Sequence, residues 1–237
     1  MNGYRKELKF IVGDDILLDI RNRICTLMKS DAHQQGDFYR IRSVYFDSPT
    51  YTCYRENLAG ISTREKYRIR TYDGSEKVIN AEIKIRHRDT ISKMKTAIDR
   101  DTFDALISGD TGKSARLIEE KISSSTGDDR RVFEKYLSKI LTSAYRPACI
   151  VDYERSAYVY GTCNVRITFD RNVTASEEFT RMFDNALTGR PALDGNRHIL
   201  EIKYDEYLPD EIKELLGGIH LQRNSSSKYA LCLKRFI

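Results

Sequence analysis

The chain has 237 residues, and its 40 lysines and arginines against 35 aspartates and glutamates give a formal net charge of +5. That length suits one large domain or two small ones, and the modest excess of positive charge excludes a histone-like polycation. No run approaches the roughly 20 apolar residues of a membrane-spanning helix, and the first residues lack an apolar leader, so we expect a cytoplasmic protein. The cysteines are scattered without a CxxC pair, which excludes a disulfide scaffold and a zinc finger.

Strands dominate the first hundred residues. Alternating side chains predict a strand over residues 4–12, and apolar residues from Ile16 to Met28 recur at helical spacing behind an aspartate cap. A strand over residues 39–46 ends in the turn that begins at Asp47. Three further strands follow in quick succession, over residues 63–72, 78–88 and 90–98. Their spacing predicts an antiparallel meander.

Helices and then strands fill the rest of the chain. Residues from about 101 to 144 carry apolar side chains at helical spacing and predict a helical insertion. The remaining predicted elements are strands over 147–160, 165–169 and 199–204, a short helix between Pro209 and Gly217, and a last helix capped by the serines at 225–227. The sequence therefore predicts a single α+β domain over residues 1–237. Its centre is an antiparallel, roughly eight-stranded β tunnel, closed as a barrel, with peripheral helices.

On several predicted strands the cations fall on one face, because alternate positions of a strand share a face. The residues that share these faces are Arg64, Lys66, Arg68 and Arg70, then Glu82, Lys84 and Arg86, then Lys93 and Lys95. The alternation recurs at Glu7 with Lys9, Arg166 with Asp170, and Glu201 with Lys203, and Arg155 adds a cation. A solvated face also alternates, but it usually mixes both signs of charge. Like charges facing each other across paired strands are destabilising by up to about 1 kcal/mol.

Cations concentrated on one side of a sheet predict an anionic ligand. Arginine presents a planar fork that fits phosphate oxygens, and lysine adds a point charge. In a small barrel such a face can line a water-filled tunnel, which suits a string of phosphates. Carboxylates among the cations either form ion pairs or hold Mg²⁺ or Mn²⁺. The ion pair is an alternative for each of Glu7, Glu82, Asp170 and Glu201, and it weighs at least equally for Glu7 and Glu82. Glu201 stands out among them as a candidate metal ligand, and Asp170 is predicted as a second.

Nine segments of the chain resemble one known family. They are RKELKF (5–10), SVYFDSP (43–49), REKYRIRTYDG (64–74), AEIKIR (81–86), SKMKTAI (92–98), YRPACIVDYERSAY (145–158), VRITFD (165–170), LEIKYD (200–205) and SSSKYAL (225–231). In this order they resemble the catalytic domain of the VTC polyphosphate polymerases, within the CYTH-like superfamily of triphosphate tunnel metalloenzymes. Arg5 stands where the wider superfamily has glutamate, which matches the polymerase branch, and Ser225 stands where some polymerases have an additional lysine.

The resemblance implies a role for each residue that matches a motif. The residues implied to act on the phosphates in catalysis are Arg68, Arg70, Lys84, Arg155 and Arg166. The residues expected to bind substrate are Lys9, Arg64, Lys66, Lys95, Lys203, Ser227 and Lys228. Glu201 in LEIKYD is the implied metal ligand, and Asp170 is expected beside it.

The implied activity is that of a polyphosphate polymerase, which uses Mn²⁺ or Mg²⁺ to transfer the terminal phosphoryl group of ATP to a growing inorganic polyphosphate chain. The expected partners are ATP and inorganic polyphosphate, with a separate membrane protein left open as the recipient of the product. Nucleic acid is not expected, because the aromatic residues alternate with core positions instead of with exposed cations. A tripolyphosphatase or nucleoside triphosphatase of the same fold is an alternative. A non-catalytic polyphosphate sensor is another, which Glu201 and Asp170 disfavour.

Overall fold

The computed structural model describes residues 5–88, 90–224 and 227–237. The predicted strand start at Tyr4 and the predicted cap residues Ser225 and Ser226 lie outside these residues. The chain divides into two compact units. Unit 1 consists of Met1–Arg40, Tyr153–Val173 and Pro191–Ser225, and unit 2 consists of Ile41–Asp152, Thr174–Arg190 and Ser226–Ile237. The assignment of residues 1–237 to one domain stays a prediction.

Ten strands and seven α-helices form within the described residues. The strands are β1 (Arg5–Gly13), β2 (Lys29–Ser30), β3 (Tyr39–Asp47), β4 (Thr63–Tyr72), β5 (Asn80–His87), β6 (Thr90–Ala97), β7 (Arg146–Tyr160), β8 (Val165–Ser176), β9 (Arg190–Pro191) and β10 (Arg197–Asp205). The helices are α1 (Asp14–Ile24), α2 (Thr52–Leu58), α3 (Arg100–Ser108), α4 (Thr111–Ser124), α5 (Gly127–Ser143), α6 (Asp210–Leu216) and α7 (Lys228–Leu233). None of the helices that the structure describes is long and apolar enough to cross a membrane.

Unit 1 is built on strands in the order β1, β10, β8 and β7, with antiparallel pairing of β10 to both β1 and β8. One face of these strands is apolar and packs with α1 and α6 into a core that includes Ile20, Phe169 and Leu200. Helix α1 forms because its buried residues recur at helical spacing. Its aspartates lie in the first turn, where their negative charge interacts favourably with the helix dipole. The N-cap residue is Gly13, so the predicted aspartate cap is wrong.

Unit 2 contains the order β7, β3, β4, β5 and β6, and the pairing from β3 to β6 is antiparallel. The predicted meander is thus confirmed. Helices α3, α4 and α5 follow β6, in the region where the sequence pattern predicted helices. Helix α2 was not predicted. It begins where the buried carboxylate of Asp47 accepts hydrogen bonds from the backbone N–H groups of Ser48, Cys53 and Tyr54.

The α+β class with a large antiparallel sheet is confirmed, but the predicted closed barrel is not supported. Within the described residues, the hydrogen-bonded order begins at β1 and ends at β6, and no pairing joins these two strands. The outer edge of β1 is already used by the segment before α7. Phe10 forms an isolated bridge with Arg223, and the N–H of Asn224 donates to the carbonyl of Lys9 at 2.8 Å. Side-chain alternation predicts which face a residue occupies, not whether the edges of a sheet meet.

A buried arginine anchors an irregular segment of unit 2. Arg42 on β3 is fully buried and donates from Nε to the carboxylate of Asp152 at 2.9 Å. Its Nη1 donates to the carbonyls of Met182 and Asp184, at 2.7 and 2.8 Å. Because one guanidinium donates to a buried carboxylate and to two carbonyls, its loss removes several hydrogen bonds at once.

We expect Arg42→Met to lower the free energy of unfolding by roughly 3 to 5 kcal/mol, since it removes the positive charge that pairs with the buried carboxylate of Asp152. Urea unfolding measures the change. Arg130→Met, which removes an exposed helical ion pair with Glu134, is the control and should cost less than about 1 kcal/mol. Equal losses in the two variants would contradict the anchoring role of Arg42.

Candidate functional site

Unit 2 carries the cations that the sequence placed on one face of β4, β5 and β6. We call this set the cationic face; it comprises Arg64, Lys66, Arg68, Arg70, Glu82, Lys84, Arg86, Lys93 and Lys95. The register sets like charges directly opposite each other, because Lys84 lies between Lys66 and Lys93 on the neighbouring strands. Arg64 likewise lies opposite Arg86. The repulsion that the alternation implied is therefore present in the paired strands.

Glu82 is the carboxylate that partly neutralises the cationic face. It is 1% exposed, and its Oε2 accepts from Nε of Arg68 at 2.8 Å and lies 2.6 Å from Nη2 of the same residue. Lys93 bonds its other oxygen, and Nε of Arg70 lies 4.0 Å away. Burial raises the pKa of Glu82, but the charges of Arg68, Arg70 and Lys93 outweigh burial and lower it to about 2. Of the two alternatives left open for Glu82, the structure shows the ion pair.

Strand β3 adds two polar side chains beside the arginines. Nη1 of Arg68 donates to the hydroxyl of Tyr45 at 2.9 Å, and Nε of Arg70 donates to the hydroxyl of Ser43 at 3.2 Å. Arg68 lies directly across from Tyr45, and Arg70 from Ser43. Sequence reasoning missed both residues, although the alternation of the predicted strand places them on one face.

Helix α7 is held against β3 by a tyrosine. The hydroxyl of Tyr229 donates to the buried carboxylate of Asp47 at 2.6 Å, and its ring stacks on that of Tyr45 at a centroid distance of 4.9 Å. Lys228, a predicted substrate ligand, is the first residue of α7. Ser227, also a predicted substrate ligand, is its cap and accepts from the N–H of Ala230.

The remaining predicted ligands of unit 2 lie on the cationic face with different surroundings. Arg64 donates to the carbonyl of Ile61 at 2.5 Å, and Lys66 donates to the side-chain oxygen of Asn57 at 2.7 Å. Lys84 is half-buried in the centre of its row, and Lys95 is exposed on β6, directly across from Glu82. The structure thus brings Arg68 and Arg70 together around Glu82, and it leaves Lys95 exposed on β6, the last strand of the order.

Unit 1 carries a second charged group on β1, β7, β8 and β10, which we call the Glu201 cluster; it comprises Glu7, Lys9, Arg155, Arg166, Thr168, Asp170, Glu201 and Lys203. The carboxylate of Glu201 is buried and lies 3.4 Å from the ammonium groups of both Lys9 and Lys203. Glu7 lies 3.0 Å from Lys9 and 3.8 Å from Lys203. Burial lowers the pKa of Lys203, which the charges of Glu201 and Glu7 counteract only in part.

Arg155 is held rigidly by Asp170. Its Nε and Nη2 donate to the two carboxylate oxygens at 2.6 and 2.7 Å, and Nη2 lies 3.6 Å from Glu201. Burial lowers the pKa of the guanidinium, but the opposing charge of Asp170 raises it well above its usual value. Both groups are buried. Because both oxygens of Asp170 face Arg155, its role as a metal ligand stays a prediction.

Arg166 lies at the edge of the Glu201 cluster. Its Nε donates to Asp31 at 3.0 Å and its Nη2 to the hydroxyl of Tyr39 at 3.2 Å. Directly across from it on β10 lies Lys203. Asp31 belongs to a polar loop, and no sequence pattern marked it as a partner of Arg166.

The Glu201 cluster fits a divalent cation through oxygen donors. Within the described residues, no three histidine, cysteine, aspartate or glutamate side chains are placed to hold a metal ion. One carboxylate nevertheless suffices for Mg²⁺ or Mn²⁺ when substrate phosphates supply other ligands. Thr168, directly across from Glu201, has a buried hydroxyl that lacks a hydrogen-bond partner in the described part of the chain. Glu201 and Thr168 therefore offer two hard oxygen atoms to a cation.

The fold and these two charged groups define an α+β protein whose strands present cations suited to a polyanion. The family model of the VTC domain matches residues 4–237, and the chain belongs to this family. The match confirms the resemblance that the nine segments predicted.

Comparisons with other proteins show the fold alone. No curated protein matches the chain. Among solved structures, the chain is similar to a proposed adenylate cyclase from Vibrio parahaemolyticus at 13% identity, with a TM-score of 0.50 and 98% of each chain covered. The PH1819 protein from Pyrococcus horikoshii is similar at 16% identity, with a TM-score of 0.49 and coverage of 98% of this chain and 99% of that one.

We expect Glu82→Gln to lower the free energy of unfolding at pH 7 by roughly 3 kcal/mol, since it leaves the neighbouring cations without their counter-charge. The pKa of Glu82 falls from 4.5 to about 2 on folding, so its contribution is complete above pH 4.5 and is lost as pH falls towards 2. Urea unfolding of both proteins along this pH range measures the difference, with the exposed Glu134→Gln as control. A difference that stays constant below pH 4.5 would contradict the ion-pair assignment.

Proposed function

We propose that this chain is a metal-dependent polyphosphate polymerase, which transfers the terminal phosphoryl group of ATP to the end of a growing inorganic polyphosphate chain. Its partners are then ATP and inorganic polyphosphate, and not nucleic acid. Membership of the VTC domain family supports a protein that handles phosphates. The transferase activity, the nucleotide and the metal are parts of the proposal.

The observation that carries the proposal is the row of like charges across paired strands. Lys66, Lys84 and Lys93 face one another on neighbouring strands, and Glu82 is the carboxylate that the structure places among the nearby cations. Such a row costs stability in the absence of a counter-charge. A polyanion with many phosphates supplies counter-charge over the whole length of the row.

The chemistry of phosphoryl transfer matches what these side chains supply. The transition state spreads negative charge over the oxygens of the transferring group, so positioning and electrostatic stabilisation are the main requirements. The guanidinium groups of Arg68 and Arg155 are held by carboxylates and are therefore preorganised. The acceptor is itself an anionic phosphate, so the reaction needs no strong general base.

Each predicted residue then has a role in the proposal. Arg68, Arg70, Lys84, Arg155 and Arg166 stabilise the charge on the phosphates, and Lys9, Arg64, Lys66, Lys95, Lys203, Ser227 and Lys228 bind the substrate. Glu201, with Thr168 and Asp170 beside it, holds Mn²⁺ or Mg²⁺. The bound cation supplies charge neutralisation at the phosphate oxygens.

Incubation of the protein with ATP and Mn²⁺, followed by gel analysis of the products, tests the proposed activity. We expect a ladder of polyphosphate chains that grows with time. Release of inorganic phosphate without a ladder would instead support a tripolyphosphatase or nucleoside triphosphatase. Tight binding of polyphosphate without either product would support a sensor.

We expect Glu201→Gln to bind tripolyphosphate without metal at least as tightly as the wild type, because the positive potential around Lys9, Lys203 and Arg155 rises. Its Mn²⁺-dependent turnover should fall by on the order of a hundredfold, since glutamine lacks the charge that a hard cation needs. Calorimetry and the gel assay on one preparation measure both quantities.

A matched control for this variant is Glu154→Gln on β7, whose carboxylate accepts a hydrogen bond from Asn172. Its neighbour in sequence is Arg155, but side chains one apart on a strand point to opposite faces. We expect near wild-type turnover from this control. Near wild-type turnover from Glu201→Gln would remove Glu201 from the metal site.

A further inference from the structure

Tyr45 is a buried tyrosine whose hydroxyl lies among the arginines of the cationic face. Its side chain is 7% exposed, and its hydroxyl oxygen accepts a hydrogen bond from Nη1 of Arg68 at 2.9 Å. The ring stacks on Tyr229 with an interplanar angle of 17°. The ring orientation is therefore fixed by stacking, and the hydroxyl is directed at Arg68 on the neighbouring strand.

The proton of this hydroxyl has no acceptor among the residues that the structure describes. A phenol both donates and accepts, and burying an unsatisfied donor is unfavourable. Burial alone raises the pKa of Tyr45, but the positive charges of Arg68, Arg70 and Lys228 lower it overall. The groups around the hydroxyl are thus cations, which donate hydrogen bonds and do not accept them. An anion attracted by these cations would supply the missing acceptor.

We propose that the Tyr45 hydroxyl is a phosphate ligand, which donates its proton in a hydrogen bond to a non-bridging oxygen of a phosphate bound by Arg68 and Arg70. This deepens the proposed function and rests on it, because it requires phosphate at the cationic face. A phosphate oxygen would satisfy the buried donor and neutralise the cations around it at the same time. The hydrogen bond is charge-assisted, since the acceptor is an ionised oxygen.

The alternative is that Tyr45 only holds Arg68 in place. The two roles are separated by a double-mutant cycle between Tyr45→Phe and Arg68→Ala. Phenylalanine keeps the ring that stacks on Tyr229 and removes only the hydroxyl, so the fold is retained, which thermal melting verifies. If Tyr45 acts only through Arg68, its hydroxyl does not contribute to the affinity for phosphate once Arg68 is replaced by alanine. If the hydroxyl binds phosphate, it contributes to the affinity both with Arg68 present and with Arg68 replaced.

The experiment measures the Kd of tripolyphosphate by calorimetry for the wild type, both single variants and the double variant. We expect Tyr45→Phe to weaken binding by about tenfold or more, as for a hydrogen bond to a charged group. In the Arg68→Ala background it should still weaken binding several-fold. Tyr67→Phe is the control, because Tyr67 lies on the opposite face of β4 and donates to Glu65. We expect this control to bind as the wild type does.

Three results would overturn the proposal, and they distinguish failure of the Tyr45 ligand from failure of the proposed function. Wild-type protein that binds tripolyphosphate no differently from Tyr45→Phe, or a double variant that binds no more weakly than Arg68→Ala, removes Tyr45 from the ligands and leaves the proposed function standing. Wild-type protein that binds no tripolyphosphate removes the proposed function and the Tyr45 ligand together.

Discussion

Repulsion between cations on neighbouring strands is the constraint on which both units depend. In unit 2 the pairing of β4, β5 and β6 brings lysine opposite lysine, and in unit 1 Lys9 and Lys203 flank one position of β10. Each unit places a buried carboxylate at the centre of its cations, Glu82 in one and Glu201 in the other. In unit 2 the carboxylate of Glu82 lowers the cost of this repulsion, and the cationic face keeps a net positive charge that attracts anions. In unit 1 the cations pair with Glu7, Asp31, Asp170 and Glu201.

The two carboxylates differ in their surroundings, and this difference bears on their chemistry. Glu82 is bound by a guanidinium fork and a lysine at short distances, so its oxygens are committed to holding Arg68. Glu201 lies at 3.4 Å from Lys9 and Lys203 and at 3.6 Å from Arg155, and Thr168 is directly across from it in the register of β8 and β10. The ion-pair distances given for Glu201 are therefore longer than those around Glu82.

Strand positions were predictable because alternation of charged and apolar residues is strong in β4, β5, β7 and β10. The register was not predictable, since it depends on which strands pair. The closed barrel was not predictable for the same reason, and no pairing joins β1 to β6 in the described residues. Helix α2 was missed because it is short and depends on the hydrogen bonds of Asp47. The charged site residues were visible by type and spacing. Tyr45 and Thr168 were not, because an uncharged hydroxyl gains meaning only from its neighbours in space.

The hydrogen bond between Asp47 and Tyr229 joins residues 182 positions apart. Chains are synthesised from the amino end, and early segments begin to fold before later ones emerge. Until the ribosome has translated Tyr229, the carboxylate of Asp47 lacks the donor that this tyrosine supplies, and the ring of Tyr45 lacks its stacking partner. Arg68 and Arg70 are made long before that moment. The hydrogen bond to Asp47 and the stacking on Tyr45 can therefore form only after nearly the whole chain has been synthesised.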